Sequence, residues 1–185
     1  MAKTLISTHA ASASATLDIT SGIDSTYPVY EFIFVNMHPA TDEGDFRFQV
    51  NAYDHASTTQ LTGFNETMTS TVFVAYHGEG DATHLGYDPN EASDQAQGTA
   101  YQVLVYETGS EGDQACSGIL TLYDPSSTTF VKHFTASTND NHAADYSINP
   151  YVAGYINTTN AINQISFKFS GGNIDDGTIY MYGVG

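Results

Sequence analysis

Ile165-Ser166-Phe167-Lys168-Phe169, followed by Ser170-Gly171-Gly172-Asn173-Ile174-Asp175-Asp176-Gly177 and then by Thr178 to Val184, decides the fold class. In the first five residues every second side chain is apolar, the period of an extended strand that buries one face and turns Ser166 and Lys168 to water. The next eight are mostly Gly, Asn, Asp and Ser, which accept positive φ or bond their own backbone, as a chain reversal requires. Thr178 to Val184 returns as a second strand. The stretch reads as an apolar hairpin that sits inside a sheet and closes the core.

The same pattern extends upstream. Leu17 and Ile19 alternate with Thr16, Asp18 and Thr20 as a first strand, ended by a turn at Ser21-Gly22-Ile23-Asp24-Ser25. That turn echoes Gly172-Asn173-Ile174-Asp175, a match too short to be a repeat and read here as shared turn chemistry. From Tyr30 to Asn36, Tyr30, Phe32 and Phe34 share one face while Ile33 and Val35 lie on the other, so this strand is expected in a central position. After an acidic loop, Met37 to Asp45, the alternation resumes at Phe46, Phe48 and Val50, and the two strands are expected to pair across the loop.

Ala52 to Thr71 is polar and irregular, and reads as a long surface excursion. Val72 to Tyr76 is a strand, followed by an acidic, Gly-rich loop from His77 through Pro89. Pro89 can open a helix, and Ala92, Ala96, Ala100, Val103 or Leu104 and Glu107 keep helical spacing up to Gly109. A helix is therefore expected over part of Asn90 to Glu107, although Gly98 interrupts it and Tyr101 to Tyr106 alone would equally suit a buried strand. Ser117 to Tyr123 and Thr128 to Thr135 form a second hairpin around Asp124-Pro125-Ser126-Ser127, where Pro presets the turn. Tyr151 to Ile156 is a short strand, and Asn157 to Asn160 a turn into the final hairpin.

About eight short strands with turns at regular spacing imply two packed antiparallel sheets, a jelly-roll-like β-sandwich with at most one short helix. The chain has 185 residues, 41% of them hydrophobic, with 10 Phe and 13 Tyr, which suits one domain spanning residues 1–185 with a sizeable core. Lys and Arg total four against 21 acidic residues, a net charge of −17. A surface of that sign repels nucleic acid and anionic membranes, and neither is an expected partner. It also favours solubility at high copy number and in salty surroundings.

Cys116 is the one cysteine, so an internal disulfide scaffold is excluded and a core thiol is expected. The N-terminal residues lack the apolar run of a signal peptide and no stretch has the length of a membrane span, so synthesis and release in a cytoplasm are expected. The sequons at Asn65-Glu66-Thr67 and Asn157-Thr158-Thr159 carry meaning only in a eukaryotic secretory pathway, and are discounted.

Three groups of residues carry candidate chemistry. His77, Glu79, Asp81 and His84 cluster in one loop, but without a His-x-His or His-x-x-x-His pair on a regular element. Asp42, Glu43 and Asp45, or Asn139, Asp140 and Asn141, supply oxygen ligands without the twelve-residue calcium-loop pattern. All three groups read as solvated acidic turns. Nucleophilic catalysis lacks a Gly-x-Ser-x-Gly elbow, a carboxylate pair drawn from 21 acids is uninformative, and no Gly-rich phosphate loop is present. No catalytic, cofactor-binding or metal residue is assigned, and no cofactor is expected.

Ser21-Gly22-Ile23-Asp24-Ser25-Thr26-Tyr27 running into Tyr30-Glu31-Phe32 is one of three linked stretches. The second is Ser117 to Tyr123 with Pro125-Ser126-Ser127-Thr128-Thr129-Phe130-Val131-Lys132-His133-Phe134, and the third runs from Gly154-Tyr155-Ile156-Asn157-Thr158-Thr159 through Gly183. Together they resemble a family of small virion structural proteins of tailed phages, particularly marine ones, over most of the chain outside roughly 51–113. The resemblance implies a non-enzymatic particle component, an exposed capsid decoration present in many copies, located in the virion and made in the host cytoplasm. Its expected partners are other virion proteins of capsid or tail, and further copies of itself. A tail-associated or host-glycan-binding module is the alternative, since β-sandwiches bind sugars through loop Tyr, Asn and Asp.

Overall fold

The computed structural model describes residues 2–87 and 93–185, and among them every regular element is a strand. In chain order these are β1 (Lys3–Ala10), β2 (Leu17–Ile19), β3 (Val29–Pro39), β4 (Gly44–Asp54), β5 (Thr59–Gln60), β6 (Met68–Gly78) and β7 (Thr83–Tyr87). Then follow β8 (Ala96–Gly98), β9 (Gln102–Thr108), β10 (Cys116–Tyr123), β11 (Lys132–His142), β12 (Tyr146–Ile156), β13 (Ala161–Phe169) and β14 (Ile174–Val184). All pair antiparallel. The larger layer runs β1-β14-β3-β10-β11-β12-β6, with β7 and β8 side by side on the far edge of β6. The smaller runs β2-β13-β4-β9, with the short β5 on β4. They join where His142 of β11 pairs with Thr108 of β9, so the two layers are one sheet folded over its core and nearly closed into a barrel.

The expected final hairpin is not one. β13 pairs with β4 and β2 in the smaller layer, and β14 with β3 and β1 in the larger. Residues 170–173 therefore carry the chain from one layer to the other. The expected pairing of β3 with β4 fails in the same way: β3 lies between β14 and β10, central as its two apolar faces foretold, and β4 lies between β13 and β9. The two crossings run side by side and hold each other. Ala40 N–H donates to Asn173 O at 2.9 Å, Ser170 N–H to Asp45 O at 2.9 Å, and Asp45 N–H to Ser170 Oγ at 3.0 Å. Gly172, at φ +67°, sits against Thr41, whose Oγ1 would lie 2.4 Å from an added Cβ. Alternation fixes which face of a strand is buried, and a Gly-rich reversal of a few residues suits a ladder or a layer crossing equally well.

Phe rings interlock between the layers at the centre. Phe32 of β3 meets Phe167 of β13 at 5.8 Å between centroids, Phe34 meets Phe46 at 5.1 Å, and Phe48 of β4 meets Phe134 of β11 at 5.1 Å. All six rings are buried. This is the aligned packing of a β-sandwich, with the inner side chains of both layers interdigitating.

Of the helix expected within Asn90 to Glu107, residues 90–92 lie outside the described residues, and the remainder forms β8 and β9. The five-residue run Gln102-Val103-Leu104-Val105-Tyr106 is buried at every position. A helix would turn those side chains around its whole circumference, whereas a strand beneath a covering layer buries them on both faces. Ser117 to Tyr123 and the strand after it do pair as a hairpin, in register from Cys116↔Asp140 to Leu122↔Phe134. Three strands arise where none was expected: β1, β7 and the short β5, which lies within the stretch Ala52 to Thr71 that read as an irregular excursion. β1 is an edge strand with a register shift between Leu5 and Ser7, which breaks its alternation. β7 occupies part of the loop expected from His77 to Pro89.

Candidate functional site

The fold brings two of the three acidic groups together. His77, Glu79 and Asp81, at the β6–β7 turn, line a cleft of about 410 Å³ with Asn139, Asp140 and Asn141 of β11 and Asp145. His84 takes no part, because it lies over the Tyr76 ring at 5.2 Å. Asp42, Glu43 and Asp45 belong to the β3–β4 crossing, where Asp45 is consumed by Arg47 and the Glu107 N–H. Among the described residues no three His, Cys, Asp or Glu side chains are placed to hold a metal ion. EDTA is accordingly expected to leave the melting temperature unchanged, and a large fall reversed by calcium would move the functional site to this cleft.

The Asp140 side chain is buried at the floor of this cleft. Along β11 the inward positions are Lys132, Phe134, Ala136, Thr138 and Asp140, all buried, while His133, Thr135, Ser137, Asn139 and Asn141 face outward or are half-exposed. Asp140 is 1% exposed, and neither its carboxylate oxygens nor the Thr108 hydroxyl makes a hydrogen bond of ordinary geometry. Burial pushes its pKa up to about 7; the Thr108 hydroxyl offsets this in part and Asp45 adds to it. Opposite it across the β10–β11 pair, Cys116 is a buried thiol raised well above its ordinary range, first by burial and then by Asp140. At the other end of the same strand Lys132 is fully buried, its Nζ donating to Phe130 O at 3.0 Å and Thr158 O at 3.1 Å. Burial lowers it to about 8 against the pull of Asp124 and Glu66.

An acid–histidine pair stands beside the β9–β11 join. His142 Nε2 and Glu107 Oε2 are 2.7 Å apart, and His142 Nδ1 accepts the Ala144 N–H at 2.9 Å. With both ring nitrogens engaged, this imidazole serves the join between layers rather than activating a hydroxyl or thiol.

The outer face of the larger layer is different in kind. One register line crosses eight strands through Tyr87, Phe73, Tyr151, Ser137, Ile119, Ile33, Tyr180 and Thr8. Phe73 and Tyr151, 48% and 44% exposed, stack ring on ring at 5.0 Å and 6°. Leu85 at 75%, Tyr87 at 55% and Tyr123 at 40% extend the apolar surface on either side. At the described outward positions within two residues of this line the one Lys, Arg, Asp or Glu is Glu31, which pairs with Lys3; Asp175 and Asp176 stand exposed at the start of β14, and the Tyr87 hydroxyl donates to Asp94 at the edge of the face. The outer face of the smaller layer, by contrast, carries Asp18, Arg47 and Lys168, with Ser166 Oγ donating to Asp18 Oδ1 at 2.6 Å and Lys168 lying 4.2 Å over the Tyr101 ring. Among the described residues, a chain with 21 acidic residues thus places few of them on the middle of the larger layer's face. Sequence reading named Phe73, Tyr151 and Ile33 as strand residues without seeing that register lines them up.

The chain matches no family model, no curated protein and no solved structure.

Proposed function

We propose that the chain is a structural, non-enzymatic component of a tailed-phage particle, displayed on the particle surface and held there by protein contacts. The observation that carries this reading is the sparsely charged, aromatic outer face of the larger layer. Contiguous exposed apolar surface marks interaction sites, and Tyr and Phe are the residues around which protein interfaces concentrate their energy. The resemblance of the Ser21, Pro125 and Gly154 stretches to small virion proteins supplies the biological setting. An acidic chain in many copies on a particle is kept in place by numerous modest contacts acting together.

The aromatic geometry favours protein docking over sugar binding. A sugar-stacking platform presents ring faces to the solvent, whereas Phe73 and Tyr151 turn their faces to each other and show their edges. The test is to purify particles from infected cells and quantify the chain by mass spectrometry. Many copies per particle are expected, and few copies at a single vertex would indicate the tail. The chain found only free in the lysate would overturn the proposal.

A further inference from the structure

We infer that the aromatic, sparsely charged middle of the outer face of the larger layer is a self-association surface, on which a second copy of this chain packs face to face. The inference deepens the reading of the chain as a multi-copy component, and rests on the charge pattern of that face together with its size.

The charge pattern identifies the occupant. A basic partner would be recognised by carboxylates on the contact face, and the middle of this face offers Glu31, already neutralised by Lys3, with Asp175, Asp176 and Asp94 lying at its margins. Two chains of net charge −17 approach most readily where carboxylates are fewest, and the middle of this face, away from Asp175 and Asp176, meets that condition among the described residues. All four cationic side chains are engaged within the chain. Lys3 pairs with Glu31, Arg47 with Asp45, Lys132 is buried on two carbonyls, and Lys168 lies over Tyr101. No free Lys or Arg side chain remains to bridge two copies elsewhere on their surfaces.

The size fits as well. Eight strands at ~4.8 Å spacing and about five residues along each strand make a face of roughly 34 by 17 Å. Two such faces together bury on the order of 1,100–1,200 Å², the lower bound for a specific interface. Rings standing on edge, as Phe73 and Tyr151 do, can slot between their counterparts in a second copy, as the inner side chains of packed sheets do.

Sedimentation velocity on the purified chain tests this, with Phe73→Asp and Tyr151→Asp as variants. Both positions are about half-exposed, and their folding is checked by thermal melts. The wild type is expected to dimerise at about 100 µM, and more tightly as salt rises from ~0.1 to ~1 M and screens the net repulsion. Each variant should weaken the dimer by about tenfold or more, while Lys168→Glu, on the opposite face, should leave it intact. A wild type that stays monomeric at high salt would overturn the inference, as would a dimer dispersed by salt, one indifferent to both aspartates, or one lost with Lys168→Glu. These outcomes need no particle, so they separate from the virion measurement: a chain abundant in particles yet monomeric alone would sink this inference and leave the proposed function standing.

Discussion

Phe167→Asp is expected to leave the chain unfolded at 25 °C. Phe167 is fully buried, with the Phe32 ring of the opposite layer at 5.8 Å and the Phe46 ring of its own layer stacked on it at 5.8 Å and 11°. Burial of one such side chain is worth ~1.5–3 kcal/mol, and emptying its place in a packed core raises the loss to about 3–5 kcal/mol. A carboxylate with no partner adds several more. The sum rivals the whole stability of an ordinary domain, about 5–15 kcal/mol. Phe130→Asp is the control: Phe130 is 68% exposed, and its melt should match the wild type within about 0.5 kcal/mol. Coincident melts for Phe167→Asp and wild type would refute the packing described for β13.

Asp140→Asn is expected to stabilise the chain above neutral pH and to flatten its dependence on acidity. In the folded state the pKa of Asp140 stands at about 7, above its ordinary value of 3.8. The folded protein therefore holds a proton that the unfolded chain has released, and the stability contribution is fully present below about pH 4 and lost as pH rises through 7. At about 1.4 kcal/mol per pH unit, the loss between pH 5 and pH 8 is roughly 3 kcal/mol. The difference in melting temperature between variant and wild type should accordingly grow by on the order of 5–10 °C over that range. A difference independent of pH would mean that Asp140 finds a partner or water on ionising. Lys132 acts in the opposite sense at higher pH, since a lysine lowered to about 8 in the folded state costs stability below that value and ceases to cost it as pH rises toward its ordinary 10.5. Together the two groups place a trough in their combined contribution near pH 7–8.

Much of the sandwich was legible in local pattern. The alternation in Tyr30, Phe32 and Phe34, in Phe46, Phe48 and Val50, and in Ile165, Phe167 and Phe169 gave the inward faces correctly, but Ser166, expected in water, is buried under Tyr101 and Asp18, and Gln49 and Asn51 on β4 are buried too. Cys116 was read as a core thiol and is one. Pairing was not legible in the same way. Nothing in residues 170–173 or 37–45 distinguishes a hairpin turn from a crossing between layers; what decides is the partner strand, and β4 and β13 lie far apart in sequence. The helical spacing of Ala92, Ala96 and Ala100 was a coincidence of small residues, overridden in β9 by a run that needs cover on both sides. The outer-face aromatics were unreadable for a related reason. Tyr87, Phe73 and Tyr151 become neighbours through register alone, and register is a property of the assembled sheet.

The two crossings that replace hairpins also govern how the chain reaches its fold. β14, the last of the described strands, is the partner that both β1 and β3 require, with Lys3 paired to Val184 and Phe32 to Met181. Until it arrives, β1 has no neighbour at all, and β3 has only β10 while its Tyr30, Phe32 and Phe34 lack a closed core. Strands so distant in sequence must overcome loop-closure entropy before their contacts reward it, which places folding in the slow regime of non-local β topologies. A chain whose β14 has not yet docked keeps apolar surface open, an interval in which copies of it are exposed to aggregation. The speed of assembly then depends on its most non-local step, and the docking of β14 sets that speed.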